Sequence, residues 1–218
     1  MSPRREETLR YRDARVAGDY DALRETGWVR QRREAMQRRL LAKGLRGLAP
    51  GSLVLDVPCG TGRFTSWLVA QGYTAVGADL SRDMLEVARG KTAGVAGCLG
   101  LFAGDAAQLP LEGASVDAAL VVRFLHLVSD EERVPLFREL ARVVRERVVL
   151  QVALKAWSAK QALRRLRGVP LKPLKIEWRS LLEQLAAGGL RVERVHKKLP
   201  VFSTSYVLVC RPAHSQGA

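Results

Sequence analysis

Three aspartates, Asp56, Asp79 and Asp105, each follow a short apolar run, and a glycine turn comes after the first of them. In "VLDVPCGTGRF", Val54 to Phe64, Asp56 ends the apolar run, and Gly60, Thr61 and Gly62 precede an amphipathic segment. A glycine-rich turn between strand and helix lets a ligand approach the backbone closely, and the helix N-terminus favours an anionic group. Seventeen residues after Gly62, "GADLS" sets Asp79 where a carboxylate can accept both hydroxyls of a ribose. "GDAAQLP" brings Asp105, able to accept from an adenine amino group, next to Ala106, small enough for a base to lie flat. The dinucleotide fingerprint is not met, because "GTGRFT" has Thr65 in place of the third glycine and Asp56 sits poorly against a pyrophosphate. The ligand outlined has an adenine, a ribose diol and a short zwitterionic tail.

Other reactive groups lie near these positions. Arg123 interrupts the apolar "VVRFLHL"; a buried guanidinium there needs a partner, so it either pairs with a local acid or reads a carboxylate or phosphate on cofactor or substrate. His126, four residues past the strand that ends at Val122, is a general base by its ordinary pKa of ~6.5, or a structural histidine. Cys59 follows Pro58, and a Pro-Cys pair can mark a cytosine-methylating nucleophile, but inside the glycine turn it reads as a small loop residue. Cys59, Cys98 and Cys210 stand far apart and the histidines do not cluster with them, so neither a disulfide framework nor a metal site is expected.

Strands over 53–57, 74–78, 98–103, 116–122 and 147–154 alternate with helices over 63–71 and 82–89, the latter stopped by Gly90 and capped by Ser81. In "SDEERVPLFRELARVV", Ser129 and Glu132 have capping-box spacing, while Pro135 predicts a regular helix only from about Val134. Alternation of this kind implies parallel strands, right-handed crossovers and an open doubly wound α/β sheet, with ligands outside the carboxyl ends of the strands. A helix over 179–187, stopped by Gly188 and Gly189, then leads into strands near 190–197 and 204–210, whose short connection makes them antiparallel. Residues 4–47 carry helical periodicity, with Val29, Met36, Leu40 and Leu41 on one side.

Composition narrows the class. At 218 residues, 47 % hydrophobic and 27 % charged, the chain can bury one large α/β core. It has no apolar run of the ~20 residues a membrane helix needs. The charged beginning, "MSPRREETLRYRDAR", lacks a secretory signal core, and a cytoplasmic location is expected. The net charge of +14 is uneven: Lys/Arg against Asp/Glu is 13 to 7 over residues 1–48, 10 to 12 over 49–150 and 13 to 3 over 151–218. Basic flanks around a balanced core suit an anionic partner, unless they reflect solubility and genome composition alone.

Residues 53–128 resemble the class I S-adenosylmethionine-dependent methyltransferases, in particular the type 11 and type 25 group. The resemblance lies in four motifs in order: "VLDVPCGTG", "AVGADLSRDML", "GDAAQLPL" and "SVDAALVVRFLHLV". It implies a seven-stranded Rossmann-like sheet with an antiparallel final strand and a helical N-terminal extension, and S-adenosyl-L-methionine as cofactor. Carried over by motif, Asp56, Gly60 and Gly62 bound the amino-acid end of that cofactor, Cys59 and Thr61 belong to the same cofactor-binding turn, and Asp79 holds the ribose. Asp105 and Ala106 hold the adenine, Leu80 and Met84 pack on the base, and Val122 with Arg123 faces the methionine part. Tyr20, in "GDYDALR", resembles an N-terminal tyrosine that lies over the cofactor, its other reading being core packing. Pro58 departs from the family's D-x-G-x-G-x-G pattern and removes one N–H from the turn.

The chain divides accordingly into a helical cap (1–48), a cofactor core (49–154), a basic insertion (155–178) and a C-terminal helix with paired strands (179–218) within one domain. In the insertion, "KAWSAKQALRRLRGVPLKPLK", Ala159, Leu163 and Leu166 share a helical face among basic residues. Such a segment reads as a lid over an anionic acceptor, a peripheral contact with an anionic membrane, or a solvated basic helix. The first expectation is methyl transfer to a small-molecule or lipid-like anionic acceptor. The alternatives are an RNA methyltransferase holding phosphates on its basic flanks, and a cofactor-binding adaptor without turnover. No "PPY" follows the fourth strand, which argues against exocyclic amine methylation of DNA bases.

Overall fold

The computed structural model describes residues 28–154, 176–197 and 205–215. Helix α1 (Trp28–Leu45) leads into β1 (Leu53–Asp56), α2 (Arg63–Ala70), β2 (Thr74–Asp79), α3 (Arg82–Thr92) and β3 (Cys98–Ala103). Then follow β4 (Val116–Val122), α4 (Asp130–Val143), β5 (Val144–Ala153), α5 (Trp178–Ala187), β6 (Leu190–Lys197) and β7 (Ser205–Pro212). The seven strands form one sheet in the order β3-β2-β1-β4-β5-β7-β6. The first five are parallel, whereas β7 runs antiparallel to both β5 and β6. Strand order reverses between β1 and β4, which opens a crevice at their carboxyl ends.

Each face of the sheet has its own core. On one, Leu136, Phe137 and Leu140 of α4 and Leu181 and Leu185 of α5 pack with Leu55, Val121, Val148 and Leu208. On the other, Leu41 and Leu45 of α1 and Trp67 and Leu68 of α2 cover Val54, Leu120, Val149 and Val207. Along α1 the buried positions are Gln37, Leu41, Gly44 and Leu45, with Met36 and Leu40 half-buried; the side chain of Val29 lies outside the described set.

Three element boundaries differ from the sequence expectation by three residues or more. Helix α4 starts at Asp130, because the capping box is complete: Glu132 N–H donates to Ser129 Oγ at 3.4 Å and Ser129 N–H to Glu132 Oε2 at 2.9 Å. With those N–H groups satisfied and three acids in the first turn, the helix forms ahead of Pro135. Helix α3 continues through the exposed Gly90 to Thr92 and ends where Ala93 N–H bonds to Arg89 O. Strand β5 begins directly where α4 ends, at Val144, three residues earlier than the periodicity suggests. The predicted lid residues of 155–175, including Ala159, Leu163 and Leu166, lie outside the described residues, as do Tyr20 and the connection 198–204.

Candidate functional site

The glycine turn is held by β2. Cys59 N–H donates to Ala78 O at 2.8 Å, and Gly60 N–H donates to Asp79 Oδ2 at the same distance. Gly62 N–H then closes the turn on Cys59 O at 3.0 Å. Gly60 (φ +53°) and Gly62 (φ +75°) occupy left-handed backbone that other residues adopt at a cost. The two glycines differ in surroundings. A Cβ on Gly62 would sit 3.0 Å from Ala88 Cβ, so this glycine permits close packing of α2 on α3. A Cβ on Gly60 would meet nothing within 4 Å, which leaves its face open to a ligand.

Asp79 is 8 % exposed and uses both carboxylate oxygens locally: Oδ2 takes the Gly60 N–H and Oδ1 the Ser81 N–H, each at 2.8 Å. Burial raises its pKa, while backbone donors from Ser81, Gly60 and Leu80 oppose the rise. Ser81 caps α3 by accepting the Met84 N–H at 3.3 Å. Asp56 is deeper, 1 % exposed, with the Thr65 hydroxyl donating to its Oδ2 at 2.7 Å. Its pKa is pushed up to about 7, first by burial and further by the negative charge of Asp79, against the Thr65 hydroxyl.

The remaining sequence candidates lie at or after the carboxyl ends of β1, β2, β3 and β4. Leu80, 52 % exposed, stands beside Asp79, while Met84 and Thr61 are buried. Cys59 is buried over β2, where a Cβ on Gly77 would lie 3.1 Å from its Sγ, and burial raises its thiol pKa. Asp105, beyond β3, is exposed and receives the Ala107 N–H on Oδ1 at 2.9 Å, next to the buried Ala106. Val122 ends β4 in register with Gln151 of β5, and Arg123 and the half-buried His126 follow on the connecting loop.

Arg123 is exposed, in contrast to the buried guanidinium its apolar neighbours imply, because it leaves the strand in left-handed backbone (φ +58°). Among the described residues its hydrogen-bond partner is an amide: Nη2 donates to Gln37 Oε1 at 3.1 Å. Gln37, 4 % exposed on α1, donates in turn to Gln151 Oε1 at 2.6 Å, and Gln151 Nε2 donates to Ser205 Oγ at 3.1 Å. Arg133, 3 % exposed on α4, fastens the Arg123–His126 loop by donating to Leu125 O and Val128 O at 3.3 and 3.0 Å.

Sequence reasoning missed Thr65, Gln37, Gln151, Ser205 and Arg133. Thr65 carried a signal, as a polar side chain where a glycine was looked for. Gln37 carried one too, since it stands one turn before Leu41 in the i, i+4 row of Leu41 and Leu45. Among the described residues no cluster of three or more His, Cys, Asp or Glu could hold a metal ion.

Residues 54–147 match the family described as "Methyltransferase domain". Over that segment the chain is similar to methyltransferase domains. The methyl donor of the class is S-adenosylmethionine. The chain is 26 % identical over 132 residues to the tRNA (carboxymethyluridine(34)-5-O)-methyltransferase alkbh8 of Xenopus tropicalis, covering 60 % of this chain and 18 % of that protein. It is 36 % identical over 101 residues to methyltransferase GfsG of Streptomyces halstedii, covering 45 % of this chain and 36 % of that one. It thus spans between about a fifth and two fifths of the length of these curated relatives. In fold, the domain is similar to the magnesium protoporphyrin IX methyltransferase of Synechocystis PCC 6803 solved with bound SAH, with a TM-score of 0.72 and 21 % identity. That likeness covers 94 % of this chain and 99 % of the other.

Proposed function

We propose that the protein is an S-adenosylmethionine-dependent methyltransferase acting on an anionic, small-molecule or lipid-like acceptor by in-line displacement. The observation that carries this reading is the carboxylate of Asp79 at the rim of the open Gly60 face. Each of its oxygens has accepted one backbone N–H, and a carboxylate oxygen has two acceptor positions, so a vicinal diol can be taken up without undoing the turn. In this reading Asp56, Cys59, Gly60, Thr61 and Gly62 enclose the amino-acid end, and Leu80, Met84, Asp105 and Ala106 enclose the base. Val122 lies along the methionine part. S-adenosylmethionine, when bound, supplies a methyl group on a positively charged sulfur.

The chain's own contribution is to align the acceptor and exclude water. Arg123 holds the acceptor's carboxylate or phosphate, His126 takes a proton from an acceptor that must lose one, and Tyr20 covers the site. The cap, core, basic insertion and C-terminal division of the sequence, and a cytoplasmic location, belong to the same reading. Among the described residues no helix is long and apolar enough to cross a membrane, so contact with a lipid-like acceptor would be peripheral.

A second reading, an RNA acceptor, is favoured by the likeness to proteins named as tRNA methyltransferases. Isothermal titration with S-adenosylhomocysteine tests the shared part of both. Asp79→Ala is expected to weaken binding by about 1.5–3 kcal/mol, the worth of hydrogen bonds to a charged group. Unchanged affinity would remove Asp79 from the site. Binding without methyl transfer to any acceptor released from the native protein would leave only the adaptor alternative.

A further inference from the structure

A second concave surface lies at the opposite end of the strands. A cleft of about 520 Å³ is lined by Arg39, Lys43 and Arg46 of α1 and its C-terminal end, with Gln71 and Tyr73 from the turn before β2. All three cations are exposed and none has a carboxylate within ion-pair distance among the described residues. The nearby acids are committed elsewhere: Glu34 pairs with Arg38 and Arg63, Glu146 with Arg147, and Glu193 with Arg211. The positive field continues onto β6, where His196 feels Lys43, Arg46 and Arg194. Toward the start of α1 it continues through Arg32, seven residues before Arg39.

We propose that this cleft docks the phosphate backbone of RNA. Arg39, Lys43 and Arg46 follow one another at helical spacing along one side of α1, over about 10 Å at 1.5 Å per residue. They form a row, not a cage converging on one point. A row extended at both ends by further cations matches a linear polyanion better than a discrete small anion. No large apolar side chain lines the cleft, so it offers nothing to insert into a lipid surface. Tyr73 lines the same cleft, its ring fixed by a 3.3 Å hydrogen bond from its hydroxyl to Leu45 O, and supplies one aromatic face. The cleft lies at the amino end of β2, whereas Asp79 lies at its carboxyl end. The six residues of β2 separate the two by about 20 Å. An acceptor engaged at both places must be a macromolecule. The link to methyl transfer rests on the RNA reading above; RNA binding itself does not.

The test is fluorescence anisotropy with a fluorescein-labelled RNA hairpin over a salt series, on full-length protein. The cleft variant is Arg39→Glu with Lys43→Glu. The control is Arg138→Glu with Arg179→Glu, on α4 and α5 across the sheet, which changes net charge by the same amount. The cleft variant is expected to bind at least about tenfold more weakly at ~0.1 M salt, and its log–log salt slope to fall by roughly 1.4–1.8 for two lost phosphate contacts. The control stays near wild type, and both variants keep wild-type affinity for S-adenosylhomocysteine, which reports intact folding. Equal losses in both variants would overturn the proposal in favour of net charge alone, and so would absence of RNA binding by the wild type. Binding of phosphatidylserine vesicles with the same dependence on Arg39 and Lys43, or displacement of the RNA by millimolar inorganic phosphate, would overturn the choice of occupant. If the wild type binds RNA through the cleft but fails to bind S-adenosylhomocysteine, the methyltransferase reading falls and the docking surface stands.

Discussion

Replacing Asp56 by asparagine separates what this residue does for the fold from what it does for a ligand. The carboxyl is buried with one hydroxyl donor, Thr65, and its pKa lies at about 7 against an ordinary 3.8. A folded-state pKa above the unfolded one means that the unfolded chain releases its proton first as pH rises. The associated stability is complete below about pH 4 and is lost progressively up to about pH 7. About three pKa units at 1.36 kcal/mol each amount to about 4 kcal/mol.

Asparagine has nearly the same shape, still accepts the Thr65 hydroxyl and carries no charge at any pH. The stability of Asp56→Asn relative to wild type is therefore expected to rise between pH 4 and pH 7, by up to about 4 kcal/mol, and to stay level above that. Urea denaturation followed by circular dichroism across this range measures the difference directly. Parallel stability curves would refute the argument, because they would mean that Asp56 titrates alike in the folded and unfolded chains. The same variant should bind S-adenosylhomocysteine more weakly at pH 8, since the ionised carboxylate that burial penalises is the form that attracts an ammonium group.

The amide relay makes a second prediction. Gln37→Leu removes the acceptor of Arg123 and the donor of Gln151, and is expected to cost about 1–3 kcal/mol of stability while leaving S-adenosylhomocysteine affinity unchanged; a loss of both in proportion would show that α1 supports the cofactor loop instead. The left-handed backbone at Arg123 makes a third. Arg123→Gly should be more stable than Arg123→Ala by about 1 kcal/mol in thermal or urea unfolding, and the reverse order would exclude positive φ there.

The strand and helix order was legible because each parallel strand is a short apolar run and each crossover helix has a marked start or stop. The aspartates at the ends of β1 and β2 were legible for the same reason: a charge directly after a buried run falls at the sheet's carboxyl edge. Arg123 was misjudged as buried because hydropathy reports the neighbours of a residue, not the sign of its φ. Gln37 and Gln151 are 114 residues apart, and Arg133 reaches back to Leu125 and Val128 around a loop; pairings of this kind depend on tertiary placement. Pro135 misplaced the start of α4 because a single lost helix bond was weighed above a complete capping box.

The two acids of the site differ in how far their charge is already compensated. Asp79 receives the backbone N–H groups of Gly60 and Ser81, whereas Asp56 has the Thr65 hydroxyl and the backbone of the same residue. Asp79 has a backbone donor on each oxygen and still presents acceptor positions, which suits uncharged hydroxyls. Asp56, poised near neutrality, gains most from a positive charge, because a cation nearby would lower its pKa and recover part of the penalty that burial imposes. In the proposed reading, a ligand with an ammonium group at one end and a diol further along would lie along the crevice with its cationic end toward β1 and its sugar toward β2. The orientation follows from the difference between the two carboxyls, and Asp56→Asn should erase it while Asp79→Ala should not.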